Sequence, residues 1–132
     1  MNKSFFAVIL LSSLLFANGC TTSKHVETGY AESAIHDDFP IPEAAKQGEI
    51  TTNSANPNIK IGASYELDNI GGEQGLYPPE SYFQKLDDAG WAELEDRRMG
   101  HVQFFEKEDT VMAIEIHEDT FELYEMKPGA SF

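Results

Sequence analysis

The sequence predicts an α+β domain, a small antiparallel sheet with one main helix packed on one face. Three observations carry that class. The stretch PESYFQKLDDAG, residues 79–90, places apolar side chains at helical spacing between a proline start and a glycine stop. Three stretches near the C-terminal end alternate apolar and polar residues with short acidic connections, which is the pattern of an antiparallel meander. Before the helix, IKIGASYELDNI alternates in the same way and supplies an N-terminal strand.

Taken in order, the domain spans residues 39–127 and begins at Phe39-Pro40-Ile41-Pro42, whose prolines favour an extended chain. Glu43 to Lys46 fits one helical turn, and Glu49 to Asn53 a short strand. Asn56-Pro57-Asn58 marks a turn. In the next strand Ile59, Ile61, Ala63, Tyr65 and Leu67 share a face, and the run GGEQGLYPP that follows excludes a regular element. The helix starts with Pro79 in its first turn and Glu80 against its positive end, and stops at Gly90. Tyr82, Phe83, Leu86 and Ala89 form its apolar stripe, and Trp91 is expected beneath its end.

The remainder reads as strands. WAELEDR is the first, and HVQFFEKE sets Val102 and Phe104 on one face with Phe105 on the other. TVMAIEIHE groups Met112, Ile114 and Ile116, and TFELYEMK groups Phe121 and Leu123. The connections are short enough for hairpins. Residues 128–132 read as a loose tail.

Ahead of the domain lies a different kind of sequence. Lys3 is followed by an apolar run from Phe5 to Phe16, broken only by Ser12 and Ser13. As a helix that run reaches roughly 18 Å, too short for a hydrocarbon core of about 30 Å, so residues 1–19 read as a cleavable signal peptide. Its end, Ala17-Asn18-Gly19-Cys20, contains the single cysteine of the chain. This stretch resembles the lipobox of bacterial lipoproteins, with Ala17 where leucine is commonest and Asn18 bulkier than usual. The resemblance implies cleavage between Gly19 and Cys20 and attachment of diacylglycerol to the Cys20 thiol. The chain would then be held at the cell membrane on its extracytoplasmic face by palmitate-type acyl chains, the membrane being its partner through the lipid on Cys20. Residues 20–38 read as the lipidated cysteine and a flexible, polar tether.

The formal net charge is −14, and loss of residues 1–19 removes only Lys3, taking it to −15. Nucleic acid is excluded as a partner because no basic stripe exists. Anionic headgroups repel such a body, so attachment falls to the lipid. From Phe39 onward FPIPEAAK, YELDNIGGEQGLYPPESYFQKLDDAGW and HVQFFEKEDTVMAIEIHEDTFELYEMK resemble small lipoproteins of Bacillus-type bacteria. That resemblance implies the outer face of a Gram-positive membrane and carries over no activity to this chain.

Few constellations suggest chemistry. Gly71, Gly72 and Gly75 in GGEQG, with Tyr77 beside them, form the candidate binding loop, although a strand-to-helix corner that needs positive φ is the better account of the glycines. The loop lacks the lysine and spacing of a phosphate cradle. His25 and His36 fall in the expected tether, while His101 and His117 fall at strand ends, with no metal-ligand spacing among them. Loose contacts at His36-Asp37-Asp38 or His117-Glu118-Asp119 are read as solvated acidic turns. The carboxylates at 87–88, 93–96 and 106–109 lack calcium-loop spacing and are read as charged surface. Tyr77, Tyr82, Phe105 and Tyr124 are candidates for an exposed patch, unless Phe105 and Tyr124 lie under the N-terminal strands on the second face of the sheet.

The expectation is a non-catalytic binding or accessory domain of unknown ligand, without cofactor or metal, for which an unidentified protein of the cell envelope is the candidate partner. The alternative is a small envelope enzyme with a site at Gly71–Pro79, using His101 and nearby carboxylates. A histidine held close to a carboxylate and shielded from water would favour that alternative.

Overall fold

The computed structural model describes residues 29–132, so Gly19, Cys20 and the expected signal peptide lie outside the described residues. The elements are β1 (Tyr30–Glu32), β2 (Pro40–Pro42), β3 (Lys46–Thr51), β4 (Ile59–Glu66), α1 (Glu80–Asp88), β5 (Ala92–Glu93), β6 (Val102–Lys107), β7 (Thr110–Ile116) and β8 (Thr120–Met126). Strands β3 to β8 make one sheet in the order β3-β4-β8-β7-β6-β5, and β1 and β2 make a separate two-strand ribbon. Every pairing between these strands is antiparallel. The class is α+β, with the expected β6-β7-β8 meander at the centre.

Helix α1 follows the expected spacing. Tyr82 and Leu86 are buried, Phe83 and Ala89 pack beside them, and Gly90 at φ 91° ends the helix. Trp91 lies beneath that end, with its backbone N–H on the Leu86 carbonyl at 2.9 Å. Met112, Ile114 and Ile116 of β7, Phe121 and Leu123 of β8, and Phe105 of β6 meet the helix in the main core. Tyr65 of β4 stacks on Phe121 with ring centroids 4.9 Å apart.

The ribbon corrects the expected tether. Residues 29–38 belong to the fold: Tyr30 pairs with Pro42 and Glu32 with Pro40, and Ser33 is buried. Polar composition hid the physical reason, which is that residues 29–38 close on themselves and on the core. Ser33 donates its hydroxyl to the His36 carbonyl at 2.7 Å, and the Ser33 N–H reaches the Phe39 carbonyl at 3.0 Å. Long-range bonds fix the segment, with the Ala34 N–H on the Tyr65 hydroxyl and the Trp91 indole N–H on the Asp38 carbonyl, both 2.9 Å. The His36 ring stands edge-on to Trp91, 5.4 Å between centroids.

The second face of the sheet departs from expectation as well. Phe104, Ala113 and Met126 are buried there, with Val102, Val111 and Tyr124 packed around them. Its cover comes from Ala130 and Phe132, and the N-terminal ribbon lies instead with α1. The residues expected to be a loose tail are therefore docked: Phe132 stacks on Phe104 at 4.5 Å, nearly parallel, and Asn58 donates to the Ser131 carbonyl at 2.9 Å. The register of β4 against β8 shifts between Ile59 and Ile61, and this irregularity separates Ile59, which packs on the second face, from Ala63 and Tyr65 on the first.

Three smaller differences have local causes. The strand expected at Glu49–Asn53 starts earlier, at Lys46, and the helical turn expected over Glu43–Lys46 is the turn that precedes it. WAELEDR keeps strand form only at Ala92–Glu93 before a 3-10 turn at Glu95–Arg97. Beyond that turn Met99 and Val102 bridge each other across a tight loop that starts β6.

Candidate functional site

The segment 67–79 between β4 and α1 does not hang free; it docks on the turn 117–119 that joins β7 to β8. The Leu67 N–H donates to the Asp119 carbonyl at 2.9 Å and the Gly71 N–H to the Glu118 carbonyl at 3.1 Å. The acidic side chains of the turn serve the same purpose. Asp119 accepts the Asn69 N–H at 2.7 Å and Glu118 the Gln74 N–H at 3.3 Å. A Tyr77 N–H bond to the Gly71 carbonyl at 2.8 Å closes the loop on itself.

These contacts explain the glycines. Gly71 is buried so close to the turn that a Cβ there would overlap the His117 carbonyl oxygen. Gly72 and Gly75 take φ of 66° and 68°, a region that side chains adopt at a cost. The corner role is thus present, and it leaves other residues of the same loop pointing into solvent. Leu76 is 64% and Tyr77 65% exposed, and these two make the apolar crest of the loop.

Behind the crest lies a cleft of about 240 Å3. Gly75, Leu76 and Pro78 line one wall, and Gly100, His101, Gln103 and Ile116 the other. Gln103 is only 7% exposed, and its Oε1 is buried with no hydrogen-bond partner. His101 is half-buried, with its ring centroid 5.2 Å from that of His117. His117 in turn places Nε2 3.1 Å from Glu115 Oε1. The site therefore assembles an unsatisfied amide oxygen, an imidazole and an apolar wall, a set suited to fixing one small polar group by its hydrogen bonds.

The site residues expected from sequence are distributed as follows. Gly71, Gly72, Gly75 and Tyr77 belong to one loop, and that loop meets His101 and His117. The proposed aromatic patch does not form as a unit, because Tyr82 and Phe105 are fully buried in the main core. Phe105 covers the helix side of the sheet, contrary to its expected place on the second face. Burial and the phenol groups of Tyr65 and Tyr30 push the Tyr82 hydroxyl well above its usual pKa. Tyr124 is half-buried on the second face, where burial and then the hydrogen bond to the Glu122 carboxylate raise it also. The carboxylates at 87–88, 95–96, 106 and 108–109 are exposed, and Glu93 pairs with Arg98. Among the described residues no group of three or more His, Cys, Asp or Glu side chains converges to hold a metal ion.

Two functional features escaped the sequence reading. Gln103 sits in the inward register of β6, two positions from the buried Phe105, and a polar residue at a core-facing position was the available signal. Glu118 and Asp119 carried no such mark, since a bond to a backbone N–H fifty residues away has no local signature.

No family model, no curated protein and no solved structure matches this chain. Among the described residues no helix is long and apolar enough to cross a membrane.

Proposed function

We propose that the protein is a lipid-anchored, extracytoplasmic binding domain whose working surface is the Gly71–Pro78 crest together with the cleft behind it. The observation that carries this reading is the arrangement of the loop. It is pinned from below by Glu118 and Asp119, yet it holds Leu76 and Tyr77 out in water. A rigid loop that exposes large apolar side chains is suited to recognition, since little ordering entropy is lost on contact. The anchor rests on the order of Lys3, the apolar run and Ala17-Asn18-Gly19-Cys20.

Binding is favoured over catalysis by the make-up of the cleft, whose lining offers an imidazole and an amide but no serine, cysteine, threonine, lysine or carboxylate to work with them. The enzymatic alternative draws support from the His117–Glu115 contact, but His117 is exposed, so the water exclusion that acid–base work needs is missing there.

Two experiments test the reading. Labelled palmitate added to expressing cells should enter the wild type and not Cys20→Ser, and equal labelling defeats the anchor. Site-specific photocrosslinking from position 77 of the full chain should trap a discrete envelope protein, and that product should disappear in Leu76→Ser. Random products unaffected by Leu76→Ser defeat the binding surface.

A further inference from the structure

We propose that the cleft between the 71–78 loop and the start of β6 binds a primary ammonium group carried on a short aliphatic stem. The proposal rests on the loop being a binding surface and names the chemistry of its ligand.

The first requirement comes from Gln103. Its Oε1 is a buried acceptor without a donor, and a buried carbonyl in that condition is unfavourable until a donor arrives. The ligand therefore brings an N–H or O–H. The last torsion of a glutamine side chain is soft, so the amide can turn its oxygen toward an occupant of the cleft. His101, on the same wall, contributes a second ring nitrogen that accepts when neutral. An ammonium group, with three donors and no acceptor, can donate to both of these acceptors at once.

The second requirement comes from the walls. Leu76, Pro78 and Ile116 face the cleft with hydrocarbon, and they suit a methylene stem behind the charged head. A free metal ion or a compact polar solute would leave that surface unused.

Charge supplies the third. The loop itself carries Glu73, the turn it docks on carries Glu118 and Asp119, and Glu115 lies beside His117, whereas the lining of the cleft carries no basic side chain other than His101. The cation nearest in sequence, Arg98, is tied to Glu93 by a bond of 2.5 Å. The chain as a whole carries −14. Such a field raises the local concentration of cations and repels carboxylates and phosphates. A free alkylamine and a lysine side chain of a protein share this chemistry.

The test uses the isotope-labelled full chain in detergent, followed by the NMR signals of the Gln103 side-chain amide and the His101 ring. Butylamine stands for the free amine and acetyl-lysine-methylamide for a lysine side chain, with butyrate as the oppositely charged control. Saturable shifts at Gln103 and His101 with either amine, and none with butyrate, support the proposal and identify the source. Affinity should fall about tenfold in Gln103→Met and several-fold between roughly 20 and 200 mM salt. Leu76→Lys, at an exposed position that folding does not need, should abolish the shifts through like-charge repulsion. Shifts with neither amine, equal shifts with butyrate, or shifts unchanged in both variants overturn it. A crosslinked partner at position 77 with no amine response leaves the binding surface standing and removes the ammonium site alone.

Discussion

The Tyr82 hydroxyl donates a 2.8 Å hydrogen bond to the Pro40 carbonyl, so the middle of α1 is tied to the β1–β2 ribbon by a buried bond. The phenol is fully buried against Phe121 and Tyr30, and no water can replace the bond if it is lost. Tyr82→Phe keeps the ring and removes the donor. It should cost about 1–2 kcal/mol, read as a lower denaturation midpoint with unchanged slope. Hydrogen exchange should rise most in residues 30–42.

The same phenol makes stability depend on alkaline pH. Burial holds Tyr82 neutral in the fold, whereas in the unfolded chain it ionises near 10.0. Above that pH the unfolded state has released a proton that the native state retains, so stability falls as pH rises. It is fully present below about pH 10 and is lost progressively from there upward, with a slope of up to about 1.4 kcal/mol per pH unit for each such group. Tyr124 contributes in the same direction. Denaturation midpoints from pH 8 to 11.5, followed by the fluorescence of Trp91, should show the fall, and Tyr82→Phe should reduce its steepness. A flat profile in the wild type would contradict the assignment.

Gly71 and Tyr77 separate the loop's structure from its exposed crest. Gly71→Ala forces a Cβ into the His117 carbonyl and should cost roughly 1–3 kcal/mol, with loss of exchange protection at the Gly71 and Tyr77 amides. Tyr77→Ala removes an exposed ring and should stay within about 0.5 kcal/mol of the wild type. Thermal melts of the two variants distinguish the cases, and equal costs would mean that the crest is structural too.

Phe132 covers Phe104 on the second face. Phe132→Ala should cost about 1 kcal/mol and expose an apolar surface that binds a hydrophobic dye such as ANS. Arg97, whose guanidinium lies over the Phe132 ring and donates to its carbonyl at 3.1 Å, should give a smaller effect of the same kind on truncation to alanine. Dye fluorescence equal to that of the wild type would show that other residues seal the face.

Periodicity made the centre of this fold legible. The β6-β7-β8 meander and α1 could be read from spacing because each buries one face along its own length, as Met112, Ile114 and Ile116 do. The edges were illegible for the opposite reason. Tyr30 to Asp38 enters the fold through bonds made by Ser33, Ala34 and Asp38 to residues as distant as Trp91, and a polar string gives no local sign of such partners. Five residues at the other end looked loose because one aromatic ring, Phe132, does the docking. At the candidate site the glycines were visible, but the cleft depends on Gln103 of β6 and on His101 in the turn just before it. Only the three-dimensional meeting of two loops identifies them.

The early start of the ribbon also sets a length. From Cys20 to Tyr30 the chain takes ten peptide steps, at most roughly 35 Å when fully extended, where a tether lasting to Phe39 would have allowed almost twice that. If Cys20 carries the proposed lipid, the domain lives on a short leash, confined to a shell about two domain diameters thick above the headgroups. A partner fixed in the same membrane would then meet it at high effective concentration, and weak contact at the crest would suffice to hold the two together.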